Sequence, residues 1–184
     1  VALCLPVPGM HCVLDALAGL SVADGLGVPL EKAAAALGGY RSPAMRMQIR
    51  KAGGITVIDD SYNSSPDAAK SSISVLCGFR GGRRVAVLAD MLELGSFSRM
   101  GHFSVGAFAA EAGVDLLVTV GSEAKAIAEG ALSVKPGLAC HVCGGNTQAL
   151  QVLRTILVPG DTVLVKGSRG MKTEEIVKSL LLPR

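Results

Sequence analysis

The sequence predicts an α/β fold built on a mostly parallel, doubly wound sheet. Three observations carry this. Short apolar runs alternate with helical patterns from residue 55 to the end of the chain. The runs are continuously apolar rather than alternating, so both faces of the sheet are expected to be covered. Glycines, 23 in 184 residues, cluster between the runs, where short connections must turn tightly. Right-handed crossovers then place the strands in parallel between two layers of helices.

The elements follow in order. Residues 11–26 read as a helix, with Val13, Leu17 and Leu20 on one face and Gly25 and Gly27 at its end. An alanine-rich helix over 29–37 begins with Pro and Glu and stops at Gly38-Gly39. Residues 40–44 carry Ser-Pro without periodicity and read as a linker. Strands at 47–50 and 55–58 flank a Gly53-Gly54 turn. A helix over 66–77 places Ala69, Ile73 and Leu76 together. The remaining strands are expected at 84–89, 114–120, 138–143 and 162–166. Helices are expected at 101–112, with Phe103, Ala107 and Ala110 on one side, and at 123–131, 147–157 and 173–182.

Composition narrows the function classes. The chain is 49% hydrophobic but only 3% aromatic and has no Trp, so aliphatic side chains must fill its core. A net charge of +3, with no basic cluster interleaved with aromatics, gives no nucleic-acid signature. No apolar run reaches the roughly 18 residues of a membrane span. The first residues lack the charged start of a signal peptide. Five cysteines at irregular spacing do not form a disulfide framework, and a reducing, cytoplasmic location is expected.

Three polar stretches follow predicted strands, where open α/β sheets bind ligands. The first is Asp59-Asp60-Ser61-Tyr62-Asn63-Ser64-Ser65-Pro66. Ser65 and Pro66 start a helix, which accounts for part of it. A carboxylate here can hold ligand hydroxyls or an amine, while Tyr62 and Asn63 border a planar group. The second runs from Lys166 to Lys172, where two glycines can aim backbone N–H groups at an anion beside Lys166 and Arg169. The alternative is a surface turn with solvated cations. The third is Asp90-Met91-Leu92-Glu93-Leu94-Gly95. Asp90 and Glu93 are candidates to face the same cleft as Asp60, against a plainer loop with Leu92 and Leu94 packed inward. His102 reads as a cap or surface residue. Cys140 and Cys143 lie within a strand, not at a helix start, and read as packing rather than as a redox or zinc pair. No metal site is expected. No Gly-x-x-x-x-Gly-Lys-Ser/Thr occurs, so the chain holds no P-loop.

These stretches carry a resemblance. Gly9-Met10-His11, Arg46-Met47, Asp59 to Pro66, Asp90 to Gly95 and Lys166 to Met171 stand in the order seen in Mur ligases. The chain resembles the C-terminal part of that family, in its D-alanyl-D-alanine-adding type. The resemblance implies a three-domain, ATP- and Mg2+-dependent enzyme whose N-terminal and central domains, with the P-loop and magnesium ligands, lie outside this sequence. Residues 1–44 would end the central ATPase domain, and 45–184 would form the Rossmann-like C-terminal domain. The implied reaction phosphorylates the carboxylate of UDP-N-acetylmuramoyl-tripeptide, and D-alanyl-D-alanine then attacks the acyl phosphate. By the family's pattern, His11, Arg46, Asp60, Tyr62 and Asn63 would serve the nucleotide. Asp90, Lys166, Ser168 and Arg169 would serve the incoming dipeptide. The isolated chain is expected to be inactive.

The chain also departs from the pattern. Cys12 and Asp15 stand where the family has asparagines, and Met45 where it has a glycine before the hinge arginine. Ser64-Ser65 replaces Ala-Asn, and Ala89 replaces Gly. These departures motivate an alternative, a non-catalytic α/β interaction module. A free-standing dinucleotide-binding domain is disfavoured, because no Gly-x-Gly-x-x-Gly follows the first strand.

Overall fold

The computed structural model describes residues 1–182 and divides the chain into two compact units, Val1–Pro43 and Ala44–Arg184. The first unit holds helices α1 (Met10–Gly25) and α2 (Leu30–Gly38). Only Ala16 and Ala34 are buried there, and Val13 and Leu17, expected on the inner face of α1, are exposed.

The second unit is a six-stranded sheet in the order β1-β2-β6-β3-β4-β5. Its strands are β1 (Gln48–Ala52), β2 (Ile55–Asp60), β3 (Arg84–Ala89), β4 (Leu116–Val120), β5 (Ala139–Cys143) and β6 (Thr162–Lys166). The β1–β2 hairpin is antiparallel, and every other pairing is parallel. Alternate residues of the central strands face opposite sides. Ile58, Ala86, Leu88, Leu117 and Leu164 join one core cluster, and Val57, Val85, Val87, Val118 and Val163 join the other. Helices α3 (Pro66–Gly78), α4 (Ser98–Ala112) and α5 (Lys125–Val134) cover the first face through Ile73, Leu76, Val105 and Ile127. Helices α6 (Asn146–Ile156) and α7 (Glu174–Leu181) cover the second through Leu153, Ile176 and Leu180. This is the two-sided burial that continuous apolar strands require.

Helix α3 starts as its sequence demands. Pro66 occupies the first turn, and the Ser65 hydroxyl accepts a hydrogen bond from the Ala68 N–H at 3.4 Å. Helix α4 departs from expectation. It begins at Ser98, three residues early, behind a 3-10 turn at Gly95–Phe97. Its inner face carries His102, Val105 and Ala109, whereas Phe103 is exposed. Two glycines decide that face. A Cβ on Gly106 would overlap the Ile127 carbonyl, and one on Gly130 would overlap the Phe103 carbonyl. Helices α4 and α5 therefore pack backbone against backbone. Among the described residues, no helix is long and apolar enough to cross a membrane.

Candidate functional site

The strand order brings the three polar stretches together. Strand β6 lies between β2 and β3, so the carboxyl ends holding Asp60, Lys166 and Ala89 are neighbours. Asp60 stands opposite Lys166 in register, and Lys166 stands opposite Leu88.

Asp60 is the best-held polar group at this edge. Its Oδ1 accepts the Met47 N–H at 3.1 Å. Its Oδ2 accepts the Ser72 hydroxyl at 2.7 Å and the Lys166 ammonium at 2.6 Å. The Lys166 side chain is 5% exposed and that of Asp60 14%. Lys166 also donates to the Asn63 carbonyl at 2.9 Å. Asp59 points elsewhere and accepts the Ser61 hydroxyl at 2.6 Å.

Arg46 and Tyr62 form the outward part. The Arg46 guanidinium lies 4.3 Å from the Tyr62 ring centroid, a cation–π stack, and both residues are exposed. The backbone around Arg46 is bent to achieve this. Met45 and Met47 both have positive φ, at 63° and 49°, a region that L side chains enter at a cost of about 1–2 kcal/mol. Two hydrogen bonds hold the bend: Tyr62 N–H to the Met45 carbonyl at 3.1 Å, and Met47 N–H to Asp60. Asn63 is exposed beside Tyr62. His11 lies in the first turn of α1 and is partly buried.

The residues expected to meet the dipeptide divide into two kinds. Lys166 and Ser168 are buried, whereas Arg169 is exposed. Ser168 ties the three loops together. Its N–H donates to the Asp90 carbonyl at 3.1 Å, and its hydroxyl accepts the Leu92 N–H at 2.8 Å and donates to the Ser64 carbonyl at 3.5 Å. Arg169 pairs with Glu174 at 2.6 Å and reaches the Met45 sulfur at 3.5 Å. Burial is the largest single influence on the Glu174 carboxyl and pushes it up, but the hydrogen bond from Arg169, a backbone hydrogen bond and the charges of Arg169 and Lys178 together hold the group below its usual range.

Other expectations change. The loop after β6 does not aim its amides outward as a group: the N–H groups of Ser168, Met171 and Lys172 bond to Asp90, Ser168 and Arg169 carbonyls. Asp90 is buried, and its Oδ1 caps α5 through the Ala124 N–H at 2.6 Å. Gly121 leaves room for that carboxylate, since a Cβ there would overlap it. In the same loop Met91 packs inward, while Leu92 is exposed. His102 is fully buried and is not a surface cap. Its Nε2 accepts the Met91 N–H at 2.8 Å and its Nδ1–H donates to the Ser98 carbonyl at 2.8 Å. It pins the loop after β3 to α4.

Sequence reasoning missed Ser72 and the buried role of His102. Both left a signal. Each is a polar residue inside an otherwise apolar stripe, Ala69-Ser72-Ile73-Leu76 and His102-Val105-Ala109. Burial raises the thiols of Cys140 and Cys143, in keeping with packing. Among the described residues, no group of three His, Cys, Asp or Glu side chains is placed to hold a metal.

Polar groups thus gather at the carboxyl ends of adjacent parallel strands, the edge where open α/β sheets place their ligands. A family model described as Mur ligase, glutamate ligase domain matches residues 45–169, and the chain belongs to that family. It is similar to UDP-N-acetylmuramoyl-tripeptide--D-alanyl-D-alanine ligases, with 36% identity to that of Bacillus subtilis (strain 168) over 96% of this chain and 39% of the relative. The Escherichia coli (strain K12) ligase of the same name is 33% identical over 96% of this chain and 38% of its own length. Among solved structures, MurF from Acinetobacter baumannii superposes with a TM-score of 0.87 at 29% identity, covering 97% of this chain and 39% of that one. A MurF ligase from Thermotoga maritima in complex with ADP gives a TM-score of 0.79 at 26% identity, covering 95% of this chain and 38% of that one. The chain thus spans about two-fifths of the length of the relatives it matches.

Proposed function

We propose that this chain is the C-terminal part of an ATP-dependent ligase that joins D-alanyl-D-alanine to UDP-N-acetylmuramoyl-tripeptide in peptidoglycan precursor synthesis. The observation that carries this is the arrangement of Asp60 behind the Arg46–Tyr62 stack at the edge where β2 and β6 end. A carboxylate, a cation and an exposed aromatic face suit the ribose, phosphates and base of a nucleotide. The relative crystallised with ADP supports the same reading.

On this reading Asp60 receives a ribose hydroxyl and Arg46 approaches the phosphates. Tyr62 and Asn63 border the base, and His11 serves the nucleotide from α1. Arg169 stays with the incoming dipeptide, where a second cation offsets negative charge gathered during acyl transfer. Activation by ATP makes an electrophile of a carboxylate that is otherwise a poor one. Mg2+ would come with the ATP; its ligands are assigned outside this chain. Residues 1–44 belong to the ATPase domain that supplies the P-loop.

The test uses a protein extended to the length of its relatives. Asp60→Ala should raise the KM for ATP. Unchanged KM and turnover remove Asp60 from the site. A second reading, a non-catalytic relative, is favoured by Met45, which holds a left-handed conformation better suited to glycine. Robust ligase activity with Cys12, Asp15 and Met45 in place rules it out.

A further inference from the structure

We propose that Lys166 is a positioning residue that acts through Asp60 and does not meet the incoming amine. This rests on the reading of Asp60 as a nucleotide contact. Lys166 is buried, and two of its three N–H directions are already committed, to Asp60 Oδ2 at 2.6 Å and to the Asn63 carbonyl at 2.9 Å. The sheet enforces this. Parallel pairing sets Asp60 directly beside Lys166 at the last rung of β2 and β6.

The consequence is a carboxylate fixed from three directions. Lys166 and Ser72 share Oδ2, and the Met47 N–H takes one site on Oδ1. An ionised carboxylate offers about four acceptor sites, so one remains on Oδ1 for a ligand hydroxyl. The second Lys166 bond holds the Asn63 carbonyl, and with it the turn that presents Tyr62 and Asn63 to solvent. A single buried ammonium thus sets both the acceptor and the aromatic wall. Ser72 reinforces the first of these from α3.

A double-mutant cycle tests this, because residues that act through one another are not additive. ADP is titrated into the protein extended to the length of its relatives, and the shifts of the labelled Tyr62 ring and Asp60 carboxyl carbon are followed by NMR. Lys166→Met should weaken ADP about tenfold, the loss of one charge-assisted contact worth about 1.4 kcal/mol. In an Asp60→Asn background the same change should cost less than about twofold. Ser72→Ala should show a smaller loss with the same non-additivity, and it carries the test if Lys166→Met fails to fold. Additive losses overturn the positioning role. So does a Lys166→Met variant that keeps its ADP affinity but loses shifts caused by D-alanyl-D-alanine. If ADP binds the unmutated extended protein and moves neither Tyr62 nor Asp60, the nucleotide reading itself is overturned.

Discussion

Replacing Gly106 by alanine should destabilise the second unit, although alanine is the better helix former. At a free helical position this exchange gains about 0.8–1 kcal/mol. At Gly106 the new Cβ would overlap the Ile127 carbonyl oxygen and stand 2.6 Å from its carbon and 2.9 Å from the Ala131 nitrogen. All three are helix backbone atoms and cannot rotate away. Ordinary contact needs about 3.5–4 Å, so α4 and α5 must separate by roughly two ångströms at the Ile127 carbonyl. That separation loosens Val105, Ala109, Ile127 and Ala131, all fully buried between the helices and the sheet. Overpacking of this kind costs about 1–3 kcal/mol, which exceeds the propensity gain. Urea unfolding followed by far-UV circular dichroism should show a lower midpoint at unchanged slope. Gly19→Ala is the control: a Cβ there meets nothing within 4 Å, so α1 should keep or gain helicity. A neutral or stabilising Gly106→Ala refutes the backbone-to-backbone packing.

Other outcomes follow from the same geometry. Met45→Gly should relieve a left-handed methionine at φ 63° and raise stability by up to about 1 kcal/mol, read from the urea midpoint; a clear loss shows that the Met45 contact with Arg169 matters more. The hydrogen bond from Arg84 holds the Asp115 carboxyl below its ordinary 3.8, so the stabilisation is present above that pH and is lost as pH falls through the lower folded value. The pair is about one-third exposed, so Asp115→Asn should remove no more than about 1 kcal/mol of acid-range dependence, less in high salt. Burial raises the thiols of Cys77, Cys140 and Cys143, and at Cys77 the opposing pull of Arg84 does not cancel it. Exposed Cys4 should therefore be alkylated well before these three, as mass spectrometry of a time course would show.

Much of the second unit was legible in the residues. Continuous runs such as Val85-Ala86-Val87-Leu88 state that both faces are buried, and the Ser65-Pro66 start of α3 needed no tertiary information. Misreadings arose where side-chain type and burial disagree. Phe103 is apolar and its side chain is exposed, although its own carbonyl packs against Gly130 of α5. His102 is polar and buried, because it satisfies the Met91 N–H and the Ser98 carbonyl. In α1, Val13 and Leu17 keep helical spacing but are exposed.

The sequence by itself determined the α/β class, the ends of most elements and the three strand ends where polar chemistry collects. Those are local properties of periodicity, capping and turn residues. Only the tertiary structure decided what each polar residue does there. The insertion of β6 between β2 and β3 puts Lys166 beside Asp60, 106 positions away in the chain, and makes it the partner of a carboxylate. No local rule assigns that pairing, because strand order is settled by how whole helices pack on both faces of the sheet. The same packing turns Asp90 inward to cap α5 and leaves Arg46, Tyr62, Asn63 and Arg169 as the second unit's outward candidates.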